Sequence, residues 1–487
     1  MSKSLKSNYI FNLINTVSQV LFPLITFPYA ARIMLPDGIG QVNFFTSIIN
    51  YITLFSSLGI PVYAIKATAA VRDDREKLNQ VTIEIVSLNL ILTFFAYVAV
   101  GVICLTVPKV SVDIPLFLIL SLSIIFTTIG CEWFYKGIED FKYITIRGIV
   151  IKTVSLILLF IFVKSKEDIL LYGLYTVLGA IGGNIFNFIR LRKYISVKEV
   201  LGSIRPLRHL KPVLQVFLFS AITSIYLQLN TIILGFMKNA SDVGIYTTAV
   251  KLFSIVNGII GSLGTVMLPR VSNLVATNDM EEVKRLAQKA YNFSFTFSLP
   301  TIIGVIVSSP YLIRLFCGES FMESVLCIQI IAPIMLFISI SSLLGYQILY
   351  PMGHLNLVIG YCVIGSVVCI ILDMLLIPNM TYVGVSISYM LTELVVAMIA
   401  IIVSRRYIKI DFFTTSQRNT IISTLFLTVV FVMFRNIELG NDFLMLTAYG
   451  VVGIIAYSLS MLLLKDKLYN ECVKSALSLI HKQKHNR

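Results

Sequence analysis

The sequence predicts an all-α polytopic membrane protein with about 14 transmembrane helices. Of its 487 residues, 57% are hydrophobic and only 13% are charged, and the mean hydropathy is +0.87. A soluble domain would need far more polar surface. Apolar stretches of transmembrane length recur along the chain, and Lys and Arg fall mostly in alternate gaps between them. This pattern is typical of a chain that crosses a bilayer many times.

Each apolar stretch should form an α-helix, because a bilayer core offers no partner for unpaired backbone groups. The runs are also too continuous for the alternating pattern of a barrel strand. The thirteenth span is the shortest. In chain order, the predicted spans are Tyr9–Ile33, Gln41–Ile65, Val81–Val107, Ile114–Trp133, Ile144–Val163, Ile169–Ile189, Pro212–Phe236, Val243–Leu268, Ala290–Ser308, Met322–Leu349, Leu355–Ile377, Val383–Val403, Thr420–Phe434 and Phe443–Leu464.

The basic residues predict the orientation. Of 39 Lys and Arg residues, about thirty lie in the gaps assigned to the cytoplasm and about seven in the opposite gaps, so both termini should be cytoplasmic. Inner loops that face anionic headgroups explain the net charge of +14, and no nucleic-acid partner is expected. The first apolar run is too long and too interrupted by polar residues for a cleavable signal peptide.

Cysteine and histidine give no sign of a metal site or a disulfide framework. The seven cysteines show no C-x-x-C spacing, and none of the four histidines falls in a predicted span. Neither pattern fits a metal centre. We therefore expect no metal, no catalytic residue and no cofactor beyond a coupling ion.

The chain contains an internal repeat. Asp37–Gly40 leads through an apolar helix to Ser57–Gly59, and Asp242–Gly244 leads through another to Ser262–Gly264. The offset of roughly 204 residues spans six helices, which indicates a parallel repeat of two six-helix lobes. Chance recurrence of short glycine-containing matches is the alternative. The predicted divisions are an N lobe at residues 1–208, a C lobe at residues 209–404, and two further helices with a basic cytoplasmic tail at residues 405–487.

Ionisable residues inside the spans are the best site markers, because each costs about 2.5–3.5 kcal/mol at a helix centre. Lys152, Lys251, Asp373 and Glu393 are such residues. Arg32, Lys66 and Glu84 lie nearer span ends, where long side chains can reach the interface.

Helical spacing places these residues in polar stripes. Such stripes in both lobes predict an aqueous central cavity, although Ser, Thr, Gly and Asn also pack helices together. Pro23 and Pro28 should bend helix 1. By predicted helix, the stripes are Asn8, Asn12, Asn15 and Gln19 (1); Thr145, Gly148, Lys152 and Ser155 (5); Ser220, Thr223 and Asn230 (7); Thr247, Lys251, Ser254 and Gly258 (8); Cys362, Ser366, Cys369 and Asp373 (11); and Ser386, Tyr389 and Glu393 (12).

The signs of the charges suggest roles. Lys152 and Lys251 would contact an anionic group such as a phosphate through charge-assisted hydrogen bonds. Asp373 and Glu393 would bind a coupling H⁺ or Na⁺. Ion pairs between lysine and carboxylate that serve structure alone would fit the same residues.

The segment Gly130–Tyr143, here called the signature segment, resembles the E-W-F-x-x-G-x-E-D-F motif of bacterial polysaccharide repeat-unit flippases of the Wzx type. Three further stretches match that family in order: Asn15–Pro28 with Ala31 and Arg32, Ser220–Gly235, and Gly345–Leu349 through Pro351 and Gly353. The motif residues are Glu132, Trp133, Phe134, Gly137, Glu139, Asp140 and Phe141.

The resemblance implies a two-lobed, alternating-access carrier of the MOP exporter superfamily in the bacterial inner (cytoplasmic) membrane. Its substrate would be an undecaprenyl-diphosphate-linked oligosaccharide, moved from the cytoplasmic to the periplasmic leaflet. The family's cationic cavity residues map onto Lys152 and Lys251, and also onto Arg32 and Lys66. Many members carry Asp where this chain has Asn230, which favours Asp373 and Glu393 for ion coupling. Polysaccharide assembly enzymes are expected partners.

The signature segment itself should lie at a cytoplasmic helix end. Its Trp133 is expected at the headgroup level as an interfacial anchor. Contact with the substrate is the alternative role.

Other functions remain open. A lipid II, teichoic-acid or multidrug exporter of the same superfamily would share the fold and the repeat. A membrane glycosyltransferase or polymerase would need a catalytic constellation, usually on a sizeable outer loop, and the outer gaps here are short and poor in acids. We therefore expect a transporter and not an enzyme.

Overall fold

The computed structural model describes residues 5–196, 204–261, 264–437, 439–474 and 478. Within these ranges the regular structure is helical and contains no β-strand, as predicted. The side chains of Asn8, Ser220 and Thr223, and the repeat residues Ser262 and Leu263, lie outside the described residues.

The α-helices are numbered here in chain order. They are α1 (Leu5–Ser57), α2 (Ile60–Val71), α3 (Arg75–Thr106), α4 (Pro108–Ser111), α5 (Ile114–Gly130), α6 (Glu132–Gly137), α7 (Phe141–Phe162), α8 (Ile169–Ile181), α9 (Asn184–Leu191), α10 (Leu210–Met237), α11 (Ala240–Gly261), α12 (Gly264–Ala276), α13 (Met280–Cys317), α14 (Ser324–Ile331), α15 (Ile334–Ser342), α16 (Leu355–Ser404), α17 (Thr415–Phe434) and α18 (Asp442–Leu463).

Two of these helices are too long for a single crossing. At about 1.5 Å per residue, α1 and α16 would each extend more than twice the roughly 30 Å of a hydrocarbon core. Each contains one residue with non-helical backbone angles, Leu35 in α1 (φ 56°) and Thr381 in α16 (φ 48°). Leu35 precedes Pro36, whose ring disfavours helical geometry at the residue before it. The break in α1 at Leu35 lies in the gap predicted between Ile33 and Gln41, and the bends at Pro23 and Pro28 stay a prediction.

Among the described residues, eight helices are long and apolar enough to cross a membrane, or up to ten if each of two bent pairs forms one span. Many apolar side chains on these helices are exposed, including Phe94, Leu425 and Ile454. A bilayer would cover this surface. The protein is thus a multi-pass membrane protein, and the count of fourteen spans stays a prediction.

The helices form two compact units, Met1–Gly244 and Ile245–Arg487. In the first unit, one apolar core joins α2, α3 and the signature segment. In the second unit, α17 and α18 pack against α13, where the Tyr457 hydroxyl donates to the Thr296 carbonyl at 2.7 Å. The lobe boundaries drawn from the repeat stay a prediction.

The two copies of the repeated glycine segment touch each other inside the first unit. A Cβ added at Gly40 would overlap the Ala240 carbonyl, and one added at Gly244 would overlap the Pro36 carbonyl. Pro36 and Ala240 each stand four residues before a glycine of the repeat, so the contact is reciprocal. Small residues at this spacing allow two helix backbones to approach closely.

Candidate functional site

Two predicted polar stripes of the first unit face each other. The Lys152 ammonium on α7 donates to the Ser18 hydroxyl of α1 at 3.2 Å, and the Thr145 hydroxyl donates to the Phe11 carbonyl at 2.9 Å. Between these contacts, a Cβ added at Gly148 would lie 3.7 Å from the Asn15 Oδ1. The helical spacing therefore identified a real polar face between α1 and α7.

Lys152 is half-buried on this face. Its ammonium lies 5.8 Å from the centre of the Phe22 ring, close enough for a cation–π contribution. Asn12 and Gln19 of the same α1 stripe are exposed. The face thus combines one partly desolvated cation with amide groups that can donate and accept hydrogen bonds.

Arg147 extends the cationic character of α7, and sequence reasoning missed it. Its side chain is only 10% exposed and lies 3.5 Å from a Glu132 carboxylate oxygen. It also donates to Asn184 at 3.1 Å, while its buried Nε has no partner among the described residues. The count of basic residues placed Arg147 with an inner gap, although it lies inside the predicted span Ile144–Val163. That position inside an apolar span is the signal that could have found it.

The signature segment connects separate helices through its three acids. Glu132 pairs with Lys136 and Arg147, Glu139 pairs with Arg72 at the end of α2, and Asp140 pairs with Arg190 of α9 at 2.9 Å. The Arg190 guanidinium also stacks 3.8 Å from the centre of the Tyr143 ring. Each acid of the motif therefore fixes a different neighbouring element.

The aromatic residues of the signature segment are buried. Trp133 is 6% exposed and Phe134 and Tyr135 are fully buried, with the Tyr135 hydroxyl donating to the Asn187 carbonyl at 2.6 Å. Cys131, in the left-handed region (φ 41°), separates α5 from α6 and turns the chain here. The expected interfacial anchor is wrong for Trp133, because a headgroup anchor needs an exposed ring. The segment serves as a structural junction.

In the second unit, Lys251 is half-buried on α11. Ser254, next on its stripe, is exposed and donates to the Lys251 carbonyl at 2.8 Å. Lys152 and Lys251 therefore belong to different units. That both residues line one cavity stays a prediction.

Asp373 is fully buried in the first half of α16, with a hydroxyl-rich surrounding. The Cys369 thiol donates to its Oδ2 at 3.8 Å, and Ser388, beyond the kink at Thr381, donates to the Cys369 carbonyl at 3.4 Å. Within the described part of the chain, Asp373 Oδ1 and the Thr392 hydroxyl are buried without a partner. A buried carboxylate with an unused oxygen suits a proton or a small cation. Glu393 is also buried, at 4% exposure, in the second half of α16.

The remaining predicted site residues differ in exposure. Arg32 on α1 and Lys66 on α2 are exposed, whereas Asn230 on α10 is buried. Glu84 was expected to reach the interface from a span end, and this is wrong, because its side chain is fully buried in an ionic network. Within the described residues, no group of three His, Cys, Asp or Glu is arranged to hold a metal ion.

The stretch Gly345–Leu349, which matched the family pattern, belongs to a π-helical turn at Leu343–Leu349. A Cβ at Gly345 would overlap the Tyr361 hydroxyl. Glycine is therefore required for this close approach.

Comparison with known proteins gives a consistent result. Residues 5–275 match the family described as polysaccharide biosynthesis protein. The chain is 24% identical over 350 residues to a protein of Escherichia coli (strain K12) named "Putative O-antigen transporter", covering 71% of this chain and 83% of that one. It is 25% identical over 385 residues to a protein of the same name from Shigella dysenteriae, covering 78% and 94% of the two chains.

Solved structures share the fold. The lipid II flippase MurJ, in an inward closed conformation, aligns with a TM-score of 0.68 and 16% identity over 96% of this chain and all of that one. An inward-facing multidrug resistance MATE transporter of the MOP superfamily aligns with a TM-score of 0.65 and 13% identity, over 80% and 94% of the two chains. These matches confirm the resemblance that the signature segment indicated. The chain belongs to the polysaccharide biosynthesis protein family, on the fold of MOP-superfamily transporters.

Proposed function

We propose that this protein is a flippase that moves an undecaprenyl-diphosphate-linked oligosaccharide repeat unit from the cytoplasmic to the periplasmic leaflet of the bacterial inner membrane. The family match and the names of the two curated relatives support an O-antigen type of repeat unit. The fold shared with MOP-superfamily transporters supports alternating access. We propose that both termini lie in the cytoplasm.

The single observation that carries the choice of substrate is the cationic polar face between α1 and α7. Lys152 stands on α7 beside the Ser18 hydroxyl and the amide side chains of α1, whereas Arg147 of the same helix pairs with Glu132. A cation with neutral polar neighbours suits a diphosphate joined to sugars, because phosphate oxygens accept charge-assisted hydrogen bonds and sugar hydroxyls need neutral partners. We propose that Lys251 supplies a further contact from the second unit, with Arg32, Lys66, Asn12, Asn15, Gln19 and Asn230 as secondary contacts.

We propose that transport is coupled to H⁺ or Na⁺ through Asp373 and Glu393. Among the described residues, the Asp373 Oδ1 and the Thr392 hydroxyl are buried without a hydrogen-bond partner, which supports an ion site there. A carboxylate held away from water binds H⁺ or Na⁺ more readily when neutral oxygen ligands stand near it. No other cofactor is proposed, and polysaccharide assembly enzymes of the same pathway are proposed partners.

A multidrug exporter is the second candidate, since a MATE transporter shares the fold. Export of lipid II or teichoic acid would use the same diphosphate chemistry. The Lys152 ammonium argues against lipophilic cations as substrates, because like charges repel in a low-dielectric site. A glycosyltransferase or polymerase is the least favoured alternative.

Complementation of a cell tests the proposal. The gene is expressed in strains that make an undecaprenyl-diphosphate repeat unit but lack its transporter. Restored surface polysaccharide, lost again with the Lys152→Ala variant present at equal abundance, is the expected result. Failure in several repeat-unit backgrounds, together with new resistance to lipophilic cations, would replace the proposal with drug export.

A further inference from the structure

A buried carboxylate of the first unit holds the turn that leads into α10. Glu84 of α3 is fully buried. Its Oε1 accepts from the Gln80 amide at 3.2 Å and from the Arg205 backbone N–H at 3.0 Å. Its Oε2 lies 2.5 Å from the Arg208 guanidinium and 2.9 Å from the His209 Nε2. One side chain thus ties the short 3₁₀ turn Pro206–His209 to α3.

His209 extends this network to α2. It is 5% exposed, and its Nδ1 lies 2.7 Å from the Tyr63 hydroxyl while its Nε2 faces Glu84. Tyr63, Glu84, Arg208 and His209 are here called the His209 cluster. In a neutral imidazole that accepts from Tyr63 at Nδ1, Nε2 donates to Glu84, and the Arg208 Nε faces the same Nε2 at 3.3 Å.

The second half of the chain holds the corresponding segment with a neutral side chain. Gln288 lies on α13. It follows Glu84 by roughly 204 residues, which is the offset of the repeat, so it stands at the matching position. Its amide donates to the Asp411 carbonyl at 2.9 Å, and its Oε1 accepts from the Asp411 N–H at 2.8 Å, just before α17 begins. A neutral amide therefore suffices to hold a chain segment in front of a helix. The first half instead uses the Glu84 carboxylate, the Arg208 guanidinium and the His209 imidazole, which are more ionisable groups than holding the segment needs.

We propose that the His209 cluster is a proton-binding site: proton uptake by His209 releases the turn Pro206–His209 from α2 and α3, and so loosens the start of α10. The site is separate from the ion site proposed at Asp373 and Glu393. It goes beyond the proposed transport activity and does not depend on it.

The charges set the direction of the effect. The titratable or charged groups that face His209 are Tyr63 from α2, Glu84 from α3 and Arg208 from its own turn. On α10, the nearby Lys211 is exposed. With His209 neutral, Arg208 balances Glu84; an added proton leaves one buried positive charge in excess. Desolvation by burial lowers the pKa of His209 against the opposing effect of Glu84.

The sign follows from linkage. The pKa of His209 is lowered while the turn is bound to α2 and α3, and it returns to its ordinary value when the turn is released. Protonation therefore favours the released turn. The hold on the turn is therefore complete above about pH 6.5, the ordinary value for histidine, and weakens as the pH falls below it.

Hydrogen–deuterium exchange of the full-length protein in nanodiscs tests this inference. Protection of the peptide covering residues 204–210 is expressed relative to the intrinsic exchange rate at each pH. Between about pH 7.5 and about pH 5.5 we expect protection to fall by up to about tenfold, because this window reaches about one unit below the ordinary histidine pKa of about 6.5. The peptide before α17, which Gln288 holds, should show no such change and is the internal control.

Two variants decide the outcome. His209→Gln should abolish the pH dependence at residues 204–210. Glu84→Gln places in the first half the amide that Gln288 supplies in the second, so it should keep the fold while moving the midpoint to lower pH, because His209 loses its carboxylate. Protection that is independent of pH in the wild type, or an unchanged pH dependence in His209→Gln, would overturn the inference. The measurement needs no substrate, so a failure of the transport proposal would leave its result unaffected.

Discussion

At the residue scale, Lys152 of α7 is the proposed main contact for the substrate. Lys152 contacts the Ser18 hydroxyl and the aromatic face of Phe22. A half-buried ammonium with such neutral neighbours gains more from an arriving anion than a solvated one does, because Coulomb attraction is stronger at low dielectric. These neighbours favour Lys152 as a contact for substrate.

The first prediction concerns Lys152. Lys152→Ala should weaken binding of a short-chain polyprenyl-diphosphate oligosaccharide by about tenfold to hundredfold, since a hydrogen bond to a charged group contributes about 1.5–3 kcal/mol. Lys152→Arg should keep more of the affinity, because the charge is retained. Binding in detergent micelles is the measurement, and Lys142→Ala, at an exposed lysine of the same helix, is the control. Equal affinities for all the variants would remove Lys152 from the site.

The second prediction concerns Asp373. Asp373→Asn keeps the size of the side chain but removes the carboxylate that would carry a proton or cation. Transport should then lose its response to a pH or sodium gradient, measured as rates with and without the gradient. Asp411→Asn, at an exposed acid of the same unit, should leave the response intact. A full gradient response in Asp373→Asn would assign coupling elsewhere.

At the element scale, the signature segment acts as a junction between helices. Spacing alone could place Glu132, Glu139 and Asp140 near a helix end, but it could not show that each pairs with a different helix or loop. Their partners Arg147, Arg72 and Arg190 are distant in sequence. The same limit explains the error at Trp133, whose burial depends on the turn at Cys131.

The third prediction tests this junction. Asp140→Ala removes the carboxylate partner of Arg190, and the Asp140 side chain is only 8% exposed. We expect the free energy of unfolding to fall by about 2 kcal/mol. This is less than the cost of breaking a fully buried ion pair, because the Arg190 side chain is partly exposed to solvent. Thermal unfolding followed by the fluorescence of Trp133, the one Trp of the sequence, reports on this core directly. Asp73→Ala, at a fully exposed acid near Arg72 in the same unit, should cost far less. Equal losses for the two variants would contradict the junction.

The fourth prediction concerns the reciprocal contact of the repeat. Gly40→Val or Gly244→Val places a side chain where a neighbouring backbone carbonyl stands. Either variant should lower the melting temperature by several degrees, since overpacking costs about 1–3 kcal/mol. Gly101→Val, at a helical glycine with open space around it, should leave the melting temperature nearly unchanged. A tolerated Gly40→Val would show that the two segments do not meet as described.

At the scale of the whole molecule, periodicity predicted the helical class, the polar faces of α1 and α7, and the repeat. It could not show that Arg147 and Glu84 are buried and ion-paired, because their burial and their pairs depend on contacts between separate segments of the chain. The break at Leu35 does lie in a predicted gap, between the first two spans Tyr9–Ile33 and Gln41–Ile65. Contacts between residues far apart in sequence are the information that a single sequence lacks.

The most direct test of the central claim is leaflet exposure of an undecaprenyl-diphosphate oligosaccharide in proteoliposomes. A membrane-impermeant reagent that modifies sugars reports the fraction of lipid exposed on the outer leaflet over time. We predict transfer that requires the protein, is accelerated by a pH or sodium gradient, and is lost in the folded Lys152→Ala, Lys251→Ala double variant. Absence of transfer for several such lipids, while a lipophilic cation crosses in the same vesicles, would contradict the flippase function and leave only the fold.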